Sequence, residues 1–262
     1  MVSEKIIGGI MNESFGIVYV ATGEKYLTEC IQSAKSAKKV MPDIPISLWS
    51  DKKPGSDSDC FDDVFILANP KYSFFDKIEP LTKTKYEKNL FVDTDTFFMH
   101  SVYEISLLLD QFELAYCHAP RRVSPWDKNL KQIPICFPEP NTGVIAYRRN
   151  EKVINVFLDW LRIYNEQMDS DDPPVHDQPA FREAIFLSEV HSTVLPPEYN
   201  FRTVYPGFKG KGCPVKILHG RSHTLNKAIN IVNKPEDYDR IAVYDFRPGI
   251  ITRIQNKIFE KA

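Results

Sequence analysis

The sequence predicts an α/β protein with a mostly parallel central sheet, flanked by helices and folded as a single domain. Three observations carry that expectation. Strand-like and helix-like runs alternate through the amino-terminal half, as they do in strand–helix–strand units. The strand runs are continuously apolar, as expected where a strand is covered on both faces. No linker, repeat or low-complexity run interrupts the 262 residues.

The first strand is Phe15-Gly16-Ile17-Val18-Tyr19-Val20-Ala21, rich in β-branched residues and broken by Thr22-Gly23. Tyr26 to Val40 follows, with Leu27, Cys30, Ile31, Ala34 and Ala37 at helical spacing. Met41-Pro42 ends that helix, because the residue before a proline is pushed out of the helical region. Ile46 to Trp49 and Val64 to Leu67 are short strands. Phe74 to Leu81 is a short helix, and Lys88 to Val92 is a fourth strand running straight into Asp93-Thr94-Asp95. Beyond it, Ser101 to Leu109 predicts a helix, and Leu114 to Cys117 and Val144 to Tyr147 predict strands. Glu151 to Gln167 and His176 to Leu187 predict helices, and Lys216 to Leu218 a short strand. Arg121 to Pro140 holds Pro125, Pro134, Pro138 and Pro140 and predicts a long ordered loop, a kind of segment that is often functional.

Composition excludes several classes. Lys and Arg total 33 against 35 Asp and Glu, a formal charge of −2, whereas a general nucleic-acid binder carries a basic excess. No run approaches the ~20 apolar residues of a membrane helix. Met1 to Met11 lacks the basic start, apolar centre and small-residue cleavage site of a signal peptide. The five cysteines are odd in number, widely spaced and without a C-x-x-C pair. A reducing, cytoplasmic setting without structural zinc is the expectation. The oligomeric state is left open.

The sharpest chemical signal is Asp93-Thr94-Asp95 at the end of a buried strand. Ligands of open α/β sheets bind at the carboxyl ends of the strands. Two carboxylates there repel each other unless a cation lies between them, so the pair suits Mg²⁺ or Mn²⁺ held against a diphosphate. The bland alternative is a turn with two solvated aspartates. His219 is the second candidate, since a neutral imidazole completes a metal sphere beside two carboxylates. Gly220 permits close backbone approach, and Arg221 suits a phosphate.

These residues carry a family resemblance. Leu90-Phe91-Val92-Asp93-Thr94-Asp95-Thr96, preceded by Lys77 and Tyr86-Glu87-Lys88, resembles the GT-A-fold (Rossmann-like) glycosyltransferases, and is most similar to glycosyltransferase family 8. Asn141-Thr142-Gly143-Val144, His176-Asp177-Gln178-Pro179 and Leu218-His219-Gly220-Arg221 are similar to three further motifs of that family, in its order. The likeness spans about residues 15–225. The ending departs from H-x-x-G-x-x-K-P-W, leaving Arg221 or His223 to stand for the lysine.

The resemblance implies a metal-dependent transfer of sugar from a nucleotide diphosphate sugar, expected to be UDP-linked, to a glycan, protein or other hydroxyl acceptor. Mn²⁺ or Mg²⁺ would sit on Asp93, Asp95 and His219, with Asp93 also free to reach ribose. Val20, Ala21, Thr22, Tyr26 and Asp51 would line the nucleoside pocket. Lys77 would reach ribose or phosphate, and Thr94, Gly220 and Arg221 the donor's phosphates. Asn141, Thr142, Asp177 and Gln178 would read sugar hydroxyls. Residues 1–110 would form the nucleotide-binding half and 111–262 the sugar and acceptor half. Asp177 is the candidate general base should the reaction invert; retention, towards which the likeness leans, can leave that proton to the departing phosphate. Against these roles stand a helix N-cap for Asp177, a core position for Tyr26 and a solvated side chain for Lys77. Arg121-Arg122 reads as a solvated pair, Trp126 as a residue of a loop near the acceptor, and Pro196 to Arg202 as a segment supporting the site.

Three rivals are distinguishable. A D-x-D-x-[TV] phosphatase needs Thr or Val where Phe97 stands. A sugar nucleotidyltransferase needs a Gly-rich basic loop where Ala21-Thr22-Gly23-Glu24-Lys25 stands. Against a non-catalytic nucleotide-sugar binder on the same fold stand the intact acidic pair and His219, and metal-dependent hydrolysis of a UDP-sugar would exclude it.

Overall fold

The computed structural model describes residues 14–55, 58–125, 133–235, 239–246 and 254–255. Trp126, the amino-terminal stretch Met1 to Met11 and the side chain of His223 lie outside the described residues. The elements run β1 (Phe15–Ala21), α1 (Glu24–Val40), β2 (Ile46–Ser50), β3 (Asp63–Ile66), α2 (Phe75–Thr82), β4 (Lys88–Val92), β5 (Thr96–Phe98), α3 (Glu104–Leu108), β6 (Leu114–His118), β7 (Pro140–Arg148), α4 (Glu151–Met168), α5 (Gln178–Leu187), β8 (Ser192–Val194), β9 (Phe201–Arg202), β10 (Gly207–Lys209), β11 (Ile217–His219), α6 (Ser222–Ile231), β12 (Ala242–Tyr244) and β13 (Ile254–Gln255).

Seven strands form the central sheet in the order β3-β2-β1-β4-β7-β6-β8. β3, β2, β1 and β4 are mutually parallel, β7 runs against both β4 and β6, and β8 is parallel to β6. The two faces follow from the period-2 alternation of side chains. Ile17, Tyr19, Leu90, Val92, Val144 and Ala146 meet Leu27, Cys30, Ala34 and Ala37 of α1 on one face. Val18, Phe91, Ile145 and Tyr147 meet Ile78 of α2, Phe157 and Trp160 of α4 and Phe181 of α5 on the other. Helix α4 starts where predicted, and the Asn150 side chain accepts from the Val153 N–H at 3.0 Å, a cap worth about 1 kcal/mol.

The structure corrects several boundaries. The helix expected over Ser101 to Leu109 shortens to the single turn of α3. The strand expected from Val144 begins at Pro140, so Asn141 and Thr142 are strand residues. Six short strands are new: β5, β8, β9, β10, β12 and β13. Segments of two or three residues carry too little periodicity to announce themselves, and pairing with distant partners is what makes them strands. The consequential one is β5. It lies in a small sheet ordered β5-β11-β9, antiparallel to β11, which in turn is parallel to β9. The chain therefore leaves the central sheet at Val92, turns through Asp93-Thr94-Asp95 and enters a second sheet at Thr96.

Among the described residues no helix is long and apolar enough to cross a membrane. All five cysteines are free.

Candidate active site

The register of the small sheet builds the site. His219 pairs with Thr96 on one side and with Arg202 on the other. It thereby lands beside Asp95, and the Gly220 N–H donates to the Asp95 carbonyl at 2.9 Å. In the central sheet, the Asp93 N–H donates to the Gly143 carbonyl at 2.8 Å. His219 Nε2 lies 3.3 Å from Asp95 Oδ1 and 3.7 Å from Asp93 Oδ2. One ligand atom from each of the three residues falls within 4.8 Å of the others. Gly143 leaves room for this: a Cβ there would stand 2.1 Å from His219 Cε1 and 2.8 Å from Asp93 Oδ2.

A chain of side-chain hydrogen bonds fixes the histidine tautomer. The Gly143 N–H donates to Asn141 Oδ1 at 3.1 Å, and a backbone N–H can only donate. Asn141 Oδ1 is therefore an acceptor, and Asn200 turns Nδ2 towards it at 2.8 Å. Asn200 Oδ1 then faces His219 Nδ1 at 2.7 Å and requires a proton there. In the neutral ring, Nε2 carries a lone pair aimed at two carboxylates. Three converging acceptors of type O, O and N fit a divalent cation such as Mn²⁺ or Mg²⁺. The same chain runs on from Asn141 Nδ2 to Gln178 Oε1 and from Gln178 Nε2 to Glu139 Oε1, each 2.7 Å.

A second cluster sits beside the first. Lys77 of α2 lies 3.0 Å from Asp177 and 3.7 Å from Asp93, and donates to Thr142 Oγ1 at 3.1 Å. Thr142 donates in turn to Asp177 Oδ1 at 3.1 Å. The solvated lysine is thus excluded: Lys77 is buried. Asp177 does hold the N-cap position of α5, but its side chain makes no cap hydrogen bond and points into the cluster instead. Burial alone would strip the charge from Lys77; Asp177 and Asp93 outweigh it and hold the ammonium protonated well into the alkaline range. Burial pushes the Asp177 carboxyl up, against the pull of Lys77. Removing one partner of a buried pair leaves an uncompensated charge. Lys77→Met should therefore destabilise the protein by about 3 kcal/mol, and Lys77→Met/Asp177→Leu should recover most of it in denaturant melts. Equal stability of the single variant and the wild type would refute the coupling.

Burial also opposes ionisation of Asp95, but His219, Arg221 and Arg202 outweigh it and hold this carboxyl well below the usual carboxylate range. A depressed folded value means stability that is complete above the ordinary 3.8 and is lost as the pH falls through the folded value. Without metal, the wild type should lose more stability than Asp95→Asn between about pH 5 and pH 2. Parallel acid titrations of the two would contradict this.

Asp93, Asp95, His219, Lys77 and Asp177 line one cavity of about 650 Å³. Val20, Thr22, Tyr26, Thr94, Asn141, Thr142, Gln178 and Arg221 face it as well. Tyr26 is 41% exposed, with the Arg221 guanidinium 5.5 Å from its ring centroid, so it is no core residue. Arg221 is paired with Glu29 at 3.1 Å and stands 3.6 Å from Asp95. Two expectations for the nucleoside pocket are corrected. Ala21 belongs to the α1 side of the core, its position fixed by strand alternation. Asp51 accepts from the Gly23 N–H at 2.9 Å and so braces the β1–α1 turn from outside the cavity. Gly220 borders a smaller cavity of about 170 Å³ behind Asp95, packed so tightly that a Cβ would stand 2.0 Å from Thr203 Oγ1.

Several lining residues had no signal in the sequence. Tyr72, Asp76, Glu139 and Tyr205 belong to no motif, and topology alone brings them to the cavity; Arg202 ends the segment expected to support the site and faces the cavity itself. Arg121, expected to be solvated, is exposed and lines the cavity too. Asn200 lay in the segment expected to support the site, and its bond to His219 gives that support a mechanism.

No family model matches the chain, and no curated protein matches it in sequence. Solved structures do match its fold. The galactosyltransferase LgtC, crystallised with donor and acceptor sugar analogs, superimposes with a TM-score of 0.56 at 11% identity, over 84% of this chain and 96% of LgtC. The bifunctional glycosyltransferase WbbM matches with a TM-score of 0.58 at 13% identity, over 88% of this chain and 52% of WbbM, about half of that protein. GlyE, a glycosyltransferase of Streptococcus pneumoniae TIGR4, matches with a TM-score of 0.52 at 14% identity, over 74% of this chain and 48% of GlyE. The chain shares the GT-A-type fold of these proteins.

Proposed function

We propose that the protein is a metal-dependent glycosyltransferase that uses a nucleotide diphosphate sugar, UDP-linked by preference, and a hydroxyl acceptor. The observation that carries this is the convergence of Asp93, Asp95 and His219 on the wall of the large cavity, at the carboxyl end of β4. That is where an open α/β sheet binds ligands, and structures of the same fold include one holding donor and acceptor sugar analogs.

Asp93, Asp95 and His219 hold Mn²⁺ or Mg²⁺ in this scheme. An ion held there would supply Lewis-acid chemistry to the departing diphosphate. Val20, Thr22 and Tyr26 take the nucleoside, with Tyr26 as a ring platform, while Asp51 acts only through the turn that it braces. Lys77, Thr94 and Arg221 border the phosphates. Asn141, Thr142, Asp177 and Gln178 offer a carboxylate, two amides and a hydroxyl to sugar hydroxyls. Residues up to 110 thus supply the nucleoside side and those from 111 the sugar and acceptor side, apart from His219 and Arg221, which serve the metal and the phosphates. An elevated carboxyl is a stronger base than an ordinary one, which suits Asp177 to take the acceptor proton if the reaction inverts. The five free cysteines suit a cytoplasmic enzyme.

The direct test is a thermal-shift panel of nucleoside diphosphates and UDP- or GDP-sugars, each with and without Mn²⁺. A ligand at ~100 Kd stabilises by about 2.7 kcal/mol. One nucleotide should shift the melt, and only with metal. No shift with any of them would remove the donor site. A shift without turnover of any sugar nucleotide would leave a binder.

A further inference from the structure

The large cavity is lined by four lysine or arginine side chains. Lys77 is matched by Asp177 and Asp93, and Arg221 by Glu29 and Asp95. Arg121 is exposed. Arg202 is different. No carboxylate among the described residues forms an ion pair with it, and its Nε is buried without a hydrogen-bond partner. Its position is nonetheless closely defined, because β9 pairs in register with β11 and sets Arg202 beside His219.

The contact between these two residues is specific. Arg202 Nη1 lies 2.9 Å from His219 Nε2 and 3.1 Å from Nδ1. Nδ1 already carries the proton that Asn200 accepts. An atom that close to both ring nitrogens lies over the face of the imidazole, so Nη1 stacks on the ring and takes no lone pair from it. The Nε2 lone pair stays in the ring plane, towards Asp93 and Asp95, where a metal ion on the triad would use it. Nη1 therefore has no acceptor on His219, and Nε has none either. A guanidinium in that state, facing a cavity and beside a divalent cation, needs an anion that reaches both. Its planar fork suits a phosphate oxygen pair.

We propose that Arg202 is a catalytic residue that binds the leaving diphosphate. Its guanidinium, stacked on the His219 ring, donates to phosphate oxygens. Negative charge building on the diphosphate as the glycosidic bond breaks is then met by the guanidinium on one side. This rests on the metal-dependent transfer reading, and it goes beyond that reading by giving a direct role to a residue expected only in a supporting segment. It also predicts antagonism in the absence of diphosphate, where the guanidinium and the metal ion would be neighbouring cations that repel.

Two titrations of the full chain by calorimetry separate the possibilities: Mn²⁺ alone, and inorganic pyrophosphate in the presence of Mn²⁺. Pyrophosphate is the probe because it needs no knowledge of the base or sugar. Arg202→Gln should bind pyrophosphate about tenfold or more weaker than the wild type, since a charge-assisted hydrogen bond is lost. The same variant should bind Mn²⁺ alone as tightly as the wild type or more tightly. Arg202→Lys should fall between the two for pyrophosphate, and it decides the matter if Arg202→Gln does not fold. Unchanged pyrophosphate affinity in the variants overturns the proposal and leaves the transfer reading intact. A parallel loss of Mn²⁺ affinity also overturns it, making Arg202 a positioning residue for His219. Failure of the wild type to bind pyrophosphate with Mn²⁺ overturns both.

Discussion

Asp95→Asn is expected to abolish sugar transfer in a protein that stays folded. Asp95 is buried, and its carboxylate faces His219 Nε2 at 3.3 Å and the Arg221 guanidinium at 3.6 Å. The amide is nearly isosteric, so packing around β5 is kept. Under the proposed function, what is lost is an anionic ligand at a site where a metal would contribute several kcal/mol to the transition state, and each ~1.4 kcal/mol is tenfold in rate. Turnover should fall by about three orders of magnitude, and the melting temperature by only a few degrees. Single-turnover assays with saturating Mn²⁺, alongside melts without metal, separate the two effects. Activity within tenfold of the wild type would end the assignment of Asp95 as a metal ligand.

Gly143→Ala is expected to damage the site from a residue that makes no chemistry of its own. Its Cβ would stand 2.1 Å from His219 Cε1 and 2.9 Å from Nδ1, closer than carbon or nitrogen tolerates. The strand cannot retreat, because the Gly143 carbonyl accepts from the Asp93 N–H and its own N–H is held by Asn141. The imidazole must rotate, which breaks its bond to Asn200 and turns Nε2 away from the carboxylates. Overpacking of this kind costs about 1–3 kcal/mol. Mn²⁺ affinity should fall by at least an order of magnitude, the scale seen when a ligating histidine loses its outer partner. The double variant Gly143→Ala/His219→Ala should be no less stable than His219→Ala alone, since the clash is gone, and should bind metal no better. Wild-type Mn²⁺ affinity in Gly143→Ala would show that His219 does not serve the site from this position.

The central sheet was legible because its strands are long and apolar enough to show their period. Phe15 to Ala21 and Lys88 to Val92 could hardly be read otherwise, and the helix over Glu151 to Gln167 repeats its apolar face through four turns. The short strands were not legible. Thr96 to Phe98 reads as an apolar tail of the acidic motif until Ile217 to His219 is set beside it. Asp93, Asp95 and His219 could be picked by residue type and by what precedes them, and the structure brings all three together. Ala21 and Asp51 were misassigned for a common reason: adjacency to a cavity along the chain does not say which way a side chain turns. Ala21 alternates into the core, and Asp51 is captured by the Gly23 N–H.

By itself the sequence determined the α/β class, the order of the main elements and the acidic pair at the end of β4, because these follow from local periodicity and residue chemistry. Tertiary structure alone decided that Lys77 is buried against Asp177, that Asn200 orients His219, that Gly143 must lack a side chain and that Arg202 faces the Asp93, Asp95 and His219 cluster. Each of those depends on strands and helices distant in the chain meeting at fixed register. Register is set by the burial of whole faces, a property that no single segment of sequence contains.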